Sequence, residues 1–405
     1  MPEPAEQQAL SKTICDEAVR VWVQCYGDQL RALVLTGSLA RDEATWISDP
    51  NGWSVLGDAE FLAVFHEHLP LPSQRDAAGR CRVIEDTLLR HRIRCHIGVG
   101  PVYPGYLRRL EPRMLAYELR TCGQVVWGDP EILSLIRPFT ISEIPLEDAW
   151  RTLCNRMIEL LNATCAAPCP QNVLPQELGY RTIKLYLDMA SSLLIFAGAY
   201  APTYGQRQQR IQALAHTTPK NGFWPFPLGA FAARVAAATA CKVGSEPVTG
   251  EGGWELWLTA VDYAHRLWQW ELERLTGAAN VSDSTLWQRW ARLQPTRCRL
   301  RGWASALRRR GWRRSCRDWP RWARLAWRAS PRYWIYGAGS ALFFMLPSLL
   351  SVTGPSTPAD VDCEDLRSWL PLTTNTEVHA GCSRWRLLAS EIAWNYHELL
   401  GDTRA

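Results

Sequence analysis

Over the first 140 residues the spacing of apolar positions changes repeatedly. Residues 1–31 place Ile14, Ala18, Val21, Val23 and Leu30 near helical spacing, which predicts one amphipathic helix. Leu33-Val34-Leu35 is a short apolar run that stops at Thr36-Gly37-Ser38, the pattern of a strand entering a tight turn. Leu39 to Glu43 can open a helix, and Thr45 to Gly57, with Asp49-Pro50-Asn51-Gly52, reads as a polar loop. Asp58 to Phe65 reads as a strand and Arg75 to Arg90 as a helix. From Arg92 to Val99 the residues Ile93, Cys95, Ile97 and Val99 alternate with Arg94, His96 and Gly98, the period of a strand with one buried face. A helix over Leu107 to Leu119 and a short strand over Gln124 to Trp127 complete this part.

From Leu146 onward the pattern turns helical. Helices are expected over Glu147 to Ala163, Gln176 to Ala199, Trp254 to Leu275 and Ser383 to Leu400. No internal repeat is visible. The expected fold class is therefore α+β: an N-terminal domain over 1–140, with a small mixed sheet flanked by helices, followed by an all-α region. That region divides into 146–275 and an Arg/Trp-rich extension over 276–405 with an apolar run and a C-terminal helix.

Composition narrows the class. The chain has 405 residues, 47% hydrophobic and 21% charged, which excludes a wholly disordered protein and allows a large core. The segment MPEPAEQQAL lacks the basic and apolar regions of a secretory leader. The thirteen cysteines show no paired C-x-x-C spacing, so reduced thiols and a cytoplasmic location are expected.

The net charge of +5 hides an uneven distribution. Residues 297–334 hold thirteen Arg against one acid, Asp318, so this stretch carries +12 and the remainder carries −7. Six tryptophans, at 303, 312, 319, 322, 327 and 334, are interleaved with the arginines. One reading packs the Arg stems and indoles on neighbouring helices. Another is an anionic membrane surface met through 297–352, in the order basic, aromatic, apolar, which would place the protein peripherally on the inner membrane. The apolar run Ala341 to Val352 is short and split by Pro347, so buried hairpin, interfacial contact and true span all stay open. No RNA-binding module is visible, and nucleic acid is not an expected partner.

Candidate chemistry sits at the front. A Gly after a strand permits a tight turn and close backbone approach to a ligand. Ser38 adds a hydroxyl, and a helix start adds unpaired N–H groups, a seat for phosphate. Residues two apart on a strand share a face, so Asp58 and Glu60 present two carboxylates to one side. Two carboxylates beside a polyphosphate suit Mg²⁺.

The order LVLTGSLARDEATW, then GDAEFLAVF, then YELRTCGQVVWGDPEIL resembles the nucleotidyltransferase superfamily of DNA polymerase β type. More closely it resembles the bacterial nucleotidyltransferases acting on antibiotics and other small substrates, which carry a helical C-terminal half. The segment ELGYRTIKLYLDMASSLLIFAGAYAPTY extends the resemblance more weakly. The resemblance implies transfer of a nucleoside monophosphate from an NTP, ATP for instance, to a hydroxyl of a small-molecule or glycan-type acceptor. It implies Gly37 and Ser38 at the phosphates, Asp58 and Glu60 as Mg²⁺ ligands, Arg41 and Lys184 as phosphate-neutralising cations, and 146–275 as the domain closing the cleft.

Two departures from the family pattern matter. Ser38 and Asp58 are twenty residues apart, which enlarges the intervening loop. The later strand Arg92 to Ile97 has no acid where the family often has a third carboxylate. His96 is the candidate substitute, as ligand or base, and Glu159 a further candidate base. The missing acid also leaves room for a nucleotide-binding sensor or scaffold of the same fold that turns nothing over.

Overall fold

The computed structural model describes residues 3–166, 174–217, 224–244, 253–351, 359–373 and 383–400. The fold is mixed α+β, with a small sheet near the N-terminus and mostly helices after it. The chain forms two compact units, one of residues 1–148, 197–214 and 232–246, the other of residues 149–196, 215–231 and 247–405.

In the first unit, α1 (Pro4–Tyr26) leads into β1 (Leu30–Thr36) and the four-residue α2 (Gly37–Ala40). Then come β2 (Thr45–Asp49), β3 (Gly52–Phe65), α3 (Gln74–Arg90) and β4 (Ile93–Val102). Short helices α4 (Pro104–Arg108) and α5 (Met114–Cys122) precede β5 (Gln124–Gly128). The long β3 organises the sheet. Along one edge it pairs antiparallel with β2 and then β1, and along the other it runs parallel to β4. On the outer side of β1, β5 pairs antiparallel.

Alternation along the strands fixes which face meets which layer. Leu33, Leu35, Ala59, Phe61, Phe65, Cys95 and Ile97 pack with Ile14, Ala18 and Trp22 of α1 and Ile84 and Leu88 of α3. The opposite face contributes Ala32, Val34 and Val64, covered by Leu107, Leu119, Ile132 and Ile136. Ser73 caps α3 by accepting from the Asp76 N–H at 3.2 Å.

The stretch Thr45 to Gly57, expected to be a loop, is instead a β-hairpin. Its polar turn residues are confined to the tip. There Asn51 N–H donates to Asp49 Oδ1 at 2.7 Å, and Asp49 pairs with Gly52, which takes φ +129°. The flanks Thr45-Trp46-Ile47 and Trp53 to Leu56 are strong strand formers. Gly57, at φ +124°, sits where the β3–β4 register shifts, a bulge that resets the strand just before Asp58.

The helices continue as α6 (Leu146–Ala166), α7 (Gln176–Phe196), α8 (Tyr204–Thr217), α9 (Leu228–Gly244) and α10 (Gly253–Thr276). They are followed by α11 (Asp283–Leu293), α12 (Thr296–Arg310), α13 (Trp312–Ser315), α14 (Trp319–Ala326), α15 (Pro331–Ser351), α16 (Ala359–Trp369) and α17 (Arg384–Leu400).

In the second unit α10 packs on α7, α11 and α15, and α15 packs on α16 and α17. Two glycines let α15 approach its neighbours closely. A Cβ at Gly337 would lie 2.3 Å from Trp287 Nε1, and one at Gly339 would lie 2.7 Å from Ile158 Cγ1. Leu342, Phe343 and Leu346 of the apolar run are buried. By length and composition Pro331–Leu350 is the one described helix that qualifies as a span, and 61% of that window is buried within the protein.

The Arg/Trp segment divides. Trp303, Trp322 and Trp334 are buried, their indole N–H groups donating to the carbonyls of Ala329, Pro371 and Leu325. Trp312, Trp319 and Trp327 are exposed.

Candidate active site

The first unit brings together four of the residues that the sequence singles out. Thr36 pairs with Glu60, so β1 ends at Glu60 and the chain bends at Gly37 directly beside it. Gly37 has φ +73°, a backbone conformation that disfavours any Cβ. A Cβ there would lie 3.0 Å from Glu60 Oε2, so the Glu60 carboxylate rests against the bare Cα of the bend. Asp58 and Glu60 are both exposed, while Ala59 between them is buried in the core. Gly37, Ser38, Asp58 and Glu60 thus share one corner of the sheet.

His96 is the register partner of Asp58 on β4 and is exposed. Its ring is held at the strand edge, where Nδ1 lies 2.7 Å from Glu85 Oε1. Glu85 also accepts from the Ile97 N–H at 2.9 Å. His96 is therefore tied to a carboxylate of α3.

Arg41 was the expected grip on phosphate, and its surroundings give it another task. Its side chain is 6% exposed, with Nε 3.2 Å from Glu43 Oε2 and Nη1 2.8 Å from Glu118 Oε2. Burial opposes its charge, but Glu118, Tyr204 and Glu43 outweigh that and raise its pKa. The same cluster holds Arg207, which donates to Glu118 and to Tyr200 Oη. Tyr200 donates to Glu118 as well. Burial pushes the Glu118 carboxyl up, yet Arg207 and Arg41 hold it below the usual carboxylate range. Glu43 accepts from the backbone N–H groups of Tyr204 and Gly205, at 2.6 and 3.2 Å, and so satisfies the start of α8. Lys242 Nζ donates to Thr45 Oγ1 at 2.8 Å and to the Glu43 carbonyl at 3.2 Å. Arg41 is thus a buried structural cation that fixes the chain leaving the Gly37–Ser38 bend.

Sequence reasoning missed Glu43, Tyr200, Arg207 and Lys242. The contacts of Glu43 with Tyr204, of Tyr200 and Arg207 with Glu118, and of Lys242 with Thr45 join distant parts of the chain, and no local spacing announces them.

Lys184 belongs to the second unit, where its Nζ lies 5.5 Å from the centre of the Tyr180 ring. The i, i+4 neighbour Asp188 accepts instead from Arg156 Nε at 2.6 Å, and Glu159 pairs with Arg156 Nη1 at 2.5 Å. Tyr186 is a core residue whose hydroxyl donates to the Leu256 carbonyl.

The donor set at the corner fits Mg²⁺ in kind: two exposed carboxylates, which supply oxygen ligands only. Among the described residues no group of three or more His, Cys, Asp or Glu gathers around one point.

No protein-family model matches this chain, and no curated protein matches it.

Proposed function

We propose that the first unit is a nucleotidyltransferase of DNA polymerase β type, moving a nucleoside monophosphate from an NTP to a hydroxyl of a small molecule. The observation that carries this reading is the contact of the Glu60 carboxylate with the Gly37 bend, with Asp58 two residues away on the same exposed face. A strand, a glycine-serine bend and a carboxylate pair on the adjoining strand form a phosphate seat with an acidic wall.

Gly37 keeps the bend free of a side chain, so the Glu60 carboxylate can lie directly against the backbone beside the phosphate seat. Ser38 supplies a hydroxyl beside it. Asp58 and Glu60 are the residues that would hold Mg²⁺, which supplies charge neutralisation for the triphosphate and its leaving pyrophosphate. The acceptor oxygen forms a bond to the α-phosphorus, the α–β phosphoanhydride bond breaks, and the hydroxyl proton passes to water at the open face. The buried cluster of Arg41, Glu43, Glu118 and Arg207 sets the path of the chain behind the bend.

The test is transfer of label from α-labelled NTP to a panel of hydroxyl-bearing acceptors with Mg²⁺ or Mn²⁺. Wild type should form labelled product, and Asp58→Asn should lose at least about a hundredfold in rate. Product formed equally well by Asp58→Asn would refute the assignment. The absence of a third acid on β4 and the engagement of His96 with Glu85 favour a second reading, a nucleotide-binding sensor of the same fold. Nucleotide binding that needs Asp58 and Glu60, with no transfer to any acceptor, would support it.

A further inference from the structure

The second unit carries an open cavity of about 840 Å³, solvent at its mouth included, between α11, α14, α15 and α16. Its apolar wall is Trp287, Trp334 and Trp369, and its rim carries Arg292, Arg324 and Arg328. Asp365 is the acid on the wall, one charge against three. All three arginines are exposed, and no salt bridge ties any of them among the described residues.

The surface around this cavity is unusual in two ways. The single acid of 297–334, Asp318, is 3% exposed and lies 3.2 Å from Arg310, so the solvent face of this segment shows cations alone. Beside them stand large apolar groups in water. Trp327 is 85% exposed, Leu300 61% and Leu293 57%. They lie at one end of the structure formed by α11, α12 and α14. Arg299 Nη1 donates to the Trp327 carbonyl at 2.7 Å, and Ser330 N–H donates to Gln294 Oε1.

Cations ringed by indole and aliphatic side chains fit a surface that is anionic outside and apolar within. A single-stranded nucleic acid fits less well. The cavity indoles already cover one another, Trp287 and Trp369 being stacked at 4.6 Å and 6°. Exposed leucines give nothing for a base to stack on.

We propose that this face docks on an anionic lipid bilayer. Trp327, Leu293 and Leu300 enter the interfacial layer, and Arg292, Arg324 and Arg328 hold a lipid phosphate at the cavity mouth. The apolar window of α15, 61% buried, stays packed within the protein, so the contact is peripheral.

The experiment is flotation of the full chain with vesicles of phosphatidylcholine containing about one-third phosphatidylglycerol, beside vesicles of phosphatidylcholine alone. The chain should float with the anionic vesicles and not with the neutral ones. Arg324→Glu with Arg328→Glu should lower partitioning by about a hundredfold or more, since each basic residue near such a surface contributes roughly fivefold and each reversal also adds a repelled anion. Trp327→Ser leaves the charge unchanged, removes a side chain that supports no core, and should lower partitioning by about tenfold. Asp58→Asn should float like wild type, which separates this inference from the transferase reading. No flotation, equal flotation with neutral vesicles, or arginine variants that float like wild type would overturn the proposal. So would retention by single-stranded RNA or by soluble glycerol phosphate without vesicle binding.

Discussion

Glu271 of α10 is fully buried, and its only described polar partner is the Ser192 hydroxyl on α7, which donates to Oε1. Its other oxygen, Oε2, has no hydrogen-bond partner. Burial pushes this carboxyl from 4.5 up to about 8. The proton it retains has a thermodynamic consequence. Between these two values the folded chain keeps a proton that the unfolded chain has released, so stability falls as pH rises. The fall is complete once pH passes the folded value. With about 1.4 kcal/mol per pH unit, the shift corresponds to a loss of about 5 kcal/mol across the window. Replacing Glu271 by Leu removes the titration and fills a similar volume. Ser192 then loses a partner, at about 1 kcal/mol. The variant should be slightly less stable than wild type near pH 5 and about 4 kcal/mol more stable above pH 8. Urea unfolding followed by near-ultraviolet circular dichroism, from about pH 5 to about pH 9, measures both curves. The neighbouring Cys154 is raised well above 9.0 by burial and stays neutral throughout. The two proteins differ at this one carboxyl, so the difference curve isolates Glu271. A flat difference curve, or one of opposite sign, would refute the reasoning.

Three further outcomes are expected. Glu118→Gln removes the carboxylate facing Arg41 and Arg207, and should destabilise the first unit by about 3–5 kcal/mol, read as a lowered urea midpoint. The same carboxylate is held low in the folded state, so its contribution is complete above the unfolded value of 4.5 and is lost as pH falls below it; acid unfolding should start there in wild type and be blunted in the variant. Gly37→Ala places a Cβ 3.0 Å from Glu60 Oε2 at φ +73°, and should cost about 1–2 kcal/mol in stability while cutting transfer more than the stability loss explains. Gly337→Ala drives a methyl into the Trp287 indole and should lower the melting temperature through a loss of about 1–3 kcal/mol.

The sheet was legible in the sequence where period and turn chemistry agree. Ile93, Cys95 and Ile97 alternate with exposed residues and are buried as that alternation requires. The apolar run Leu33 to Leu35 ends at Gly37, and the strand does stop there. The β2–β3 hairpin was hidden because Pro50-Asn51-Gly52 dominates a short stretch whose flanks mix Thr, Trp, Ser and Val. The corner of Gly37, Ser38, Asp58 and Glu60 could be anticipated because residues two apart on a strand share a face. The fate of Arg41 could not, since it depends on Glu118, 77 residues away, and on Tyr204 and Arg207 beyond that. No local pattern marks residues 197–214 and 232–246 as parts of the first unit. Within the Arg/Trp segment the sequence shows which residues are present but not which indoles turn inward.

The contact of Glu85 with β4 bears on how this protein behaves in a crowded solution. Among the described residues β4 has β3 on one side and no strand on the other, which leaves a row of backbone groups able to recruit a foreign chain. Glu85 occupies one of those donors, at Ile97, and Pro101 further along the strand has none to give. A stray segment trying to zip onto this border therefore meets a negative charge at one rung and a missing rung beyond it. A side chain whose neighbourhood first invites a catalytic story serves, on this view, as a guard against clumping.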